Sequence, residues 1–217
     1  MPARLRPTAP IAADAILVGD PGRALLLAQE LLEQPKMSNH ARGLWGYSGR
    51  TPAGAELSVQ STGMGGPSAA LVLADLAELG VRRAIRIGTG TALEAGLRLG
   101  ELVVVSEAFT SPPAREGTAR PDAALTAGLA AELGDTARTG PAVSLDTLPG
   151  VGDRPRSPAA IADMQTAALM TRGSTLGVML GAVLVVAVGR SGEQLGDEAA
   201  ASAAKSAATA AQAVLSS

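Results

Sequence analysis

At 217 residues the chain is long enough for one large α/β domain and too short for two generous ones. Hydrophobic residues at 47% against charged residues at 18% suit a folded core, and a net charge of −2 gives no basic field for nucleic acid. Cysteine is absent and His40 is the one histidine, which excludes disulfides and thiolate nucleophiles and leaves no expectation of a metal site. Chemistry must come from Arg, Asp, Glu, Ser, Thr and backbone amides.

The opening stretch "MPARLRPTAPIAADAILVGD" has no apolar signal region, so a cytoplasmic location is expected. Short apolar runs then alternate with helical patterns. Residues 15–19 predict a strand and 21–33 a helix; 56–62 predict a strand and 66–80 a helix. Strands are expected at 84–89, 101–109, 141–146 and 182–188, a helix at 157–172, and an Ala-rich closing helix at 197–217. Residues 110–122 and 148–158 are rich in Pro and Gly and read as loops. The uncharged stretch 173–189, between Arg172 and Arg190, is interrupted by glycine, so it reads as a helix end, a turn and a buried strand rather than a membrane span. No membrane contact is expected. Continuous Val, Ile and Leu runs suit a sheet covered on both faces. The expected architecture is a single three-layer α/β domain over 1–217, with a central mixed sheet flanked by helices.

Open α/β sheets bind ligands beyond the carboxyl ends of their strands. Here those ends carry "VGDPGR", "STGMGGPS", "RIGTGT" and "SLDTLPG". Gly63, Gly65 and Gly66 either form a tight strand-to-helix turn or bring bare backbone against a ligand. Arg23 opens a predicted helix, where the N-terminal dipole already favours an anion. Arg86 lies inside an apolar strand, and a buried guanidinium needs either a carboxylate or a bound anion. Thr89, at that strand's end, adds a hydroxyl, and phosphate matches the guanidinium fork.

Taken in order, "ILVGDPGRA", "STGMGGPSAALVLADLAELGVRRAIRIGT" and "LGELVVV" resemble the nucleoside phosphorylase superfamily that includes the hexameric uridine and purine enzymes. The resemblance is close over 15–110 and looser over 141–215, and it looks nearest to the uridine enzymes. It implies phosphorolysis of a nucleoside, with inorganic phosphate as co-substrate and no cofactor. Gly19, Arg23, Arg42, Arg86 and Thr89 would hold the phosphate, with the three arginines as catalytic residues. Arg42, in "SNHARGLWGYSG", would reach a neighbouring subunit's site, which implies a homodimer, assembled further as a hexamer. Trp45 and Tyr47 alternate beside it and are expected to pack at that interface. Met64, Met164 and Gln165 would face the ribose, and Thr89, Gly90, Leu148, Arg154 and Arg190 the base.

The departures fall on the ribose and base side. Gln165 stands where the family has a glutamate, and Leu148 where it has a stacking phenylalanine. The loop 150–158 lacks the uridine enzymes' glutamine, and Arg154 or Arg156 replaces their arginine. Arg190 stands near the point where purine enzymes place an aspartate. A uridine-type substrate is therefore favoured, with a purine or nonstandard nucleoside, or a non-catalytic phosphate- or nucleoside-binding oligomer, as alternatives.

Overall fold

The computed structural model describes residues 4–110, 117–148 and 158–217. Along the chain run β1 (Asp14–Val18), α1 (Pro21–Leu31), β2 (Glu33–Asn39), β3 (Gly46–Arg50), β4 (Glu56–Ser61), α2 (Gly65–Glu78), β5 (Arg83–Ala92) and β6 (Leu102–Thr110). There follow β7 (Gly117–Ala119), α3 (Ala123–Leu133), β8 (Ala137–Ser144), β9 (Ile161–Asp163), α4 (Thr166–Leu176), β10 (Met179–Val188) and α5 (Asp197–Ser216).

β5 is the organising strand. It pairs in parallel with β1 on one side and with β10 on the other, and its last residues pair antiparallel with β9. Strand β10 also pairs with β6, β6 with β8 and β8 with β9, so five strands close a ring through β5. From β1 the sheet continues outward through β4, β3 and β2. The sheet is mixed, as expected, with parallel and antiparallel pairings.

Two apolar layers cover it. Ile85 and Ile87 of β5 meet a cluster built from α1, α3 and α5, including Leu27, Leu129 and Ala208. Alternate residues, Ala84 and Ala92, meet a cluster built from α2 and α4, including Leu73, Leu76 and Leu169. α1 starts cleanly because Asp20 caps it, its carboxylate accepting the Arg23 N–H, with Pro21 in the first turn. Its buried residues, Ala24, Leu27, Ala28 and Leu31, follow the helical repeat. α5 is nearly all alanine on its inner face, which lets it lie close to its neighbours.

Several expectations change. The helix expected over 157–172 is two elements: β9 first, then α4, which starts only at Thr166. Asp163 ends the strand and caps the helix, so one polar residue punctuates an otherwise helical-looking pattern. Tyr47, expected at an interface, is 5% exposed and packs in the α1 cluster, whereas Trp45 is exposed. The hairpin of β2 and β3, strand β7 and helix α3 were not expected from the sequence. The segment 173–189 does contain a helix end, a left-handed turn at Gly177 and the buried strand β10. No helix among the described residues is long and apolar enough to cross a membrane.

The three glycines of "STGMGGPS" divide their labour. Gly63 and Gly65 take φ of +71° and +78°, the left-handed turn into α2. Gly66 serves packing instead, since a Cβ there would lie 2.9 Å from the Ala168 Cβ, where α2 meets α4. Gly66→Val should push these helices apart and cost roughly 1–3 kcal/mol in urea unfolding. An unchanged midpoint would show that the contact is not needed.

Candidate functional site

Arg86 points toward the α2 and α4 side of β5 and is 4% exposed. Its guanidinium donates to the Asp163 carboxylate at 2.9 Å, to Gln165 Oε1 at 2.5 Å and to the Thr166 hydroxyl at 3.1 Å. The choice between carboxylate and anion, left open by the sequence, is thus half answered. A carboxylate is present, yet these bonds use only part of the five-donor fork. The side chain lies flat over Gly88, where a Cβ would stand 2.6 Å from Arg86 Nη2 and 2.7 Å from Leu184 Cδ2. Gly88 is therefore what allows a long cation to run along the strand.

Asp163 is fully buried and is the hub of the arrangement. Besides Arg86 it accepts from the Ser144 hydroxyl at 2.5 Å, the Thr166 hydroxyl at 2.6 Å and the Thr166 N–H at 3.0 Å. A carboxylate at a helix start satisfies amides that the helix cannot, and the dipole there favours its charge. Gln165 adds a strut. It is 3% exposed, its Oε1 also accepts from the Thr62 hydroxyl at 3.0 Å, and its Nε2 donates to the Gly63 carbonyl at 2.5 Å. A ribose hydroxyl at Gln165 would have to share Oε1 with Arg86 and Thr62.

Arg23 approaches from α1. It is half-buried, and among the described residues its guanidinium has no hydrogen bond or ion pair. Burial lowers its pKa from the ordinary value, Asp20 raises it, and the nearby Arg86 charge lowers it again. Arg23 thus shares its surroundings with one carboxylate, Asp20, and a second guanidinium, Arg86, while forming no ion pair among the described residues. Gly19, at the end of β1, faces the same place: a Cβ there would lie 3.6 Å from the Gly63 carbonyl and 3.8 Å from Gln165 Oε1. Strand alternation puts Thr89 on the side of Ile85 and Ile87, toward the α1 layer that carries Arg23.

The side chains of the other expected residues take no part in this hydrogen-bond network among the described residues. Arg42 is exposed with φ of +60°, a left-handed backbone that is uncommon without glycine. Its loop is held from below by Asn39 Nδ2 and by Gln60 Nε2, both donating to the Leu44 carbonyl. Met64 is 88% exposed and Met164 half-buried. Gly90, expected at the base, instead admits β9: a Cβ there would stand 2.5 Å from the Ala162 carbonyl. Leu148 and Arg190 are exposed, and Arg154 and Arg156 lie outside the described residues. Among the described residues, no three His, Asp or Glu side chains are placed to hold a metal ion.

Sequence reasoning asked for a partner to Arg86 but did not find Asp163, Ser144, Thr62 or Gly88 in the site. The available signal was the run Asp163, Gln165, Thr166 before a helical pattern, which reads as a cap once α4 is started at the right residue.

The model of the Phosphorylase superfamily matches residues 14–217. The chain belongs to that superfamily. Among curated relatives, the purine nucleoside phosphorylase DeoD-type of Oceanobacillus iheyensis is 39% identical over 101 residues, which is 46% of this chain and 43% of that protein. The protein of the same description from Caldanaerobacter subterraneus subsp. tengcongensis is 40% identical over 101 residues, again 46% and 43%. That from Streptococcus thermophilus is 38% identical over 102 residues with the same coverage. The matched stretch thus spans less than half of these relatives' length. Their names are of the purine type, so the expected nearness to uridine enzymes finds no support there.

Removing Asp163 should be far costlier than removing Arg23. Asp163→Ala strands the Arg86 charge in the interior and should cost about 3–5 kcal/mol in urea unfolding. Arg23→Ala, which breaks no internal pair among the described residues, should leave stability within about 0.5 kcal/mol of the parent or raise it. Equal losses would mean that Arg86 does not depend on its buried carboxylate.

Proposed function

We propose that the protein catalyses phosphorolysis of a nucleoside, with the phosphate held between Arg23 and Arg86. The observation that carries this reading is geometric: Gly19, which leads into the helix that carries the half-buried Arg23, would bring a Cβ within 3.8 Å of Gln165 Oε1, the acceptor of Arg86, and Arg23 has no ion pair among the described residues. Membership of the superfamily supports it. In the reaction a phosphate oxygen forms a bond to C1′ while the bond from C1′ to the base nitrogen breaks. The base leaves with the electron pair, and a pentose 1-phosphate remains. The sugar passes through a cationic, oxocarbenium-like state, so a fixed anion beside C1′ both supplies the nucleophile and stabilises the charge. The chain supplies no covalent nucleophile in this scheme. Gly19 presents bare backbone to the phosphate, Thr89 a hydroxyl, and Met64 and Met164 flank the sugar.

The minimal unit we propose is a homodimer, assembled further as a hexamer. Arg42 supports this, because it is an exposed arginine with no hydrogen bond or ion pair to its side chain among the described residues. Trp45 and Met64 are likewise exposed apolar side chains. For the base, the purine-type relatives favour a purine nucleoside. A uridine-type or nonstandard nucleoside is the second reading, supported by Arg190 at the end of β10, where the sequence carries no aspartate.

The test is release of free base from uridine, thymidine, inosine and adenosine, with and without inorganic phosphate, by the parent protein and by Arg23→Ala. Release that needs phosphate is expected. Loss of a charged hydrogen bond of about 1.5–3 kcal/mol should lower kcat/KM in Arg23→Ala by roughly 10- to 150-fold. Release that ignores phosphate, or an unimpaired Arg23→Ala, would overturn the proposal.

A further inference from the structure

We propose that Asn39 and Gln60 are positioning residues, a pair of buried amides that hold the loop 40–45 so that Arg42 is presented to the phosphate. The inference rests on the phosphate reading above, with Arg42 serving a neighbouring protomer's site. Asn39 ends β2, Gly46 opens β3 and Gln60 lies near the end of β4, and the three are paired in a row across neighbouring strands. The row stands at the carboxyl ends of β2 and β4, and the loop 40–45 joins its first two members. Leu44 ties that loop to the turn that leads into α2: a Cβ at Gly63 would lie 3.3 Å from Leu44 Cδ2.

Both amides donate to one carbonyl of this loop. Asn39 Nδ2 donates to the Leu44 carbonyl and, at 3.4 Å, to that of Ala41. Gln60 Nε2 donates to the Leu44 carbonyl at 2.9 Å and to the Ser61 carbonyl of its own strand at 2.8 Å. Carbonyls only accept, so each side chain must bring a hydrogen-bearing atom. Asn39 is fixed from its other end, since its Oδ1 accepts the Arg6 N–H at 2.8 Å. Gln60 lies across the row because its neighbour is Gly46, where a Cβ would stand 2.1 Å from Gln60 Oε1. Asn39 is 0% exposed and Gln60 1%, and an amide is costly to bury unless its hydrogen bonds are made.

The loop needs that hold. Arg42 has φ of +60° and Gly43 φ of +69°, so two successive residues stand in left-handed backbone. Such a backbone at an arginine persists where its surroundings fix it. The Arg42 side chain is exposed and has no hydrogen bond or ion pair among the described residues, so the backbone sets where it starts. The two amides grip that backbone two residues beyond Arg42. They act through Arg42 and touch neither phosphate nor sugar.

The experiment titrates inorganic phosphate against the thermal unfolding midpoint of the intact protein. It compares the parent, Asn39→Asp, Gln60→Met, Arg42→Ala, and each amide variant combined with Arg42→Ala. Asn39→Asp keeps the acceptor for Arg6 and loses the donor for Leu44; Gln60→Met loses its donors without adding charge. A purely structural loss lowers the midpoint without phosphate but leaves the phosphate concentration needed to raise it unchanged. Each amide variant should need roughly three- to tenfold more phosphate than the parent, and Arg42→Ala roughly tenfold or more. In the Arg42→Ala background neither amide substitution should weaken phosphate binding further. Additive losses there, or parent-like affinity in the amide variants, would overturn the inference. Should Asn39→Asp fail to fold, Gln60→Met decides by the same two comparisons. A parent indifferent to phosphate would overturn the phosphate reading and this inference with it. A responsive parent whose Arg42→Ala variant binds phosphate unchanged would overturn the role of Arg42 and this inference, and would leave Arg23 and Arg86 in place.

Discussion

A guanidinium in the middle of an apolar strand is a costly thing to bury, and the burial of Arg86 beside Asp163 governs much of this fold. Arg86 belongs to β5, while its partners Asp163, Gln165 and Thr166 come from the turn between β9 and α4. That turn must therefore be brought to the carboxyl end of β5. The antiparallel pairing of β9 with the last residues of β5 does so, and the same pairing closes the ring of five strands. The polar requirement of one side chain and the closure of the sheet are two sides of the same geometry.

Close approach lets the cluster form. Gly90 admits the β9 backbone, Gly88 admits the Arg86 side chain, and Gly66 lets α2 come up against α4. The two apolar layers hold these contacts in place. Arg23 enters from the α1 layer and Arg86 from the strand between the layers, so the candidate anion position lies where the layers meet at the strand ends. Arg86, held on three sides, gives a fixed wall, and half-buried Arg23, with no ion pair among the described residues, stands opposite it.

Much of this was legible in the sequence, for physical reasons that can be named. Fully buried strands such as β5 and β10 are continuous apolar runs, and α1 carries both its cap and its periodic face. The demand of Arg86 for a counter-charge was legible too, because desolvation makes that demand whatever the fold. Its answer was not, since Arg86 and Asp163 are 77 residues apart and only the pairing of β5 with β9 brings them together. The edge hairpin of β2 and β3 escaped notice because Glu33, Gln34 and Lys36 carry no strand-like alternation of apolar and polar residues. Helix α3 is so rich in alanine and leucine that it has little amphipathic contrast. Gly90 reads in the sequence as a ligand contact, and the structure gives it a packing role against β9 that one sequence cannot reveal.

The most direct measurement of the central claim is a crystal structure of the protein grown with inorganic phosphate. The predicted result is an anion seated between the Arg23 guanidinium and the unused N–H groups of Arg86, against the backbone of Gly19, with the Arg86 to Asp163 pair intact. An anion bound elsewhere, or Arg23 turned to solvent with nothing between it and Arg86, would contradict the phosphate assignment.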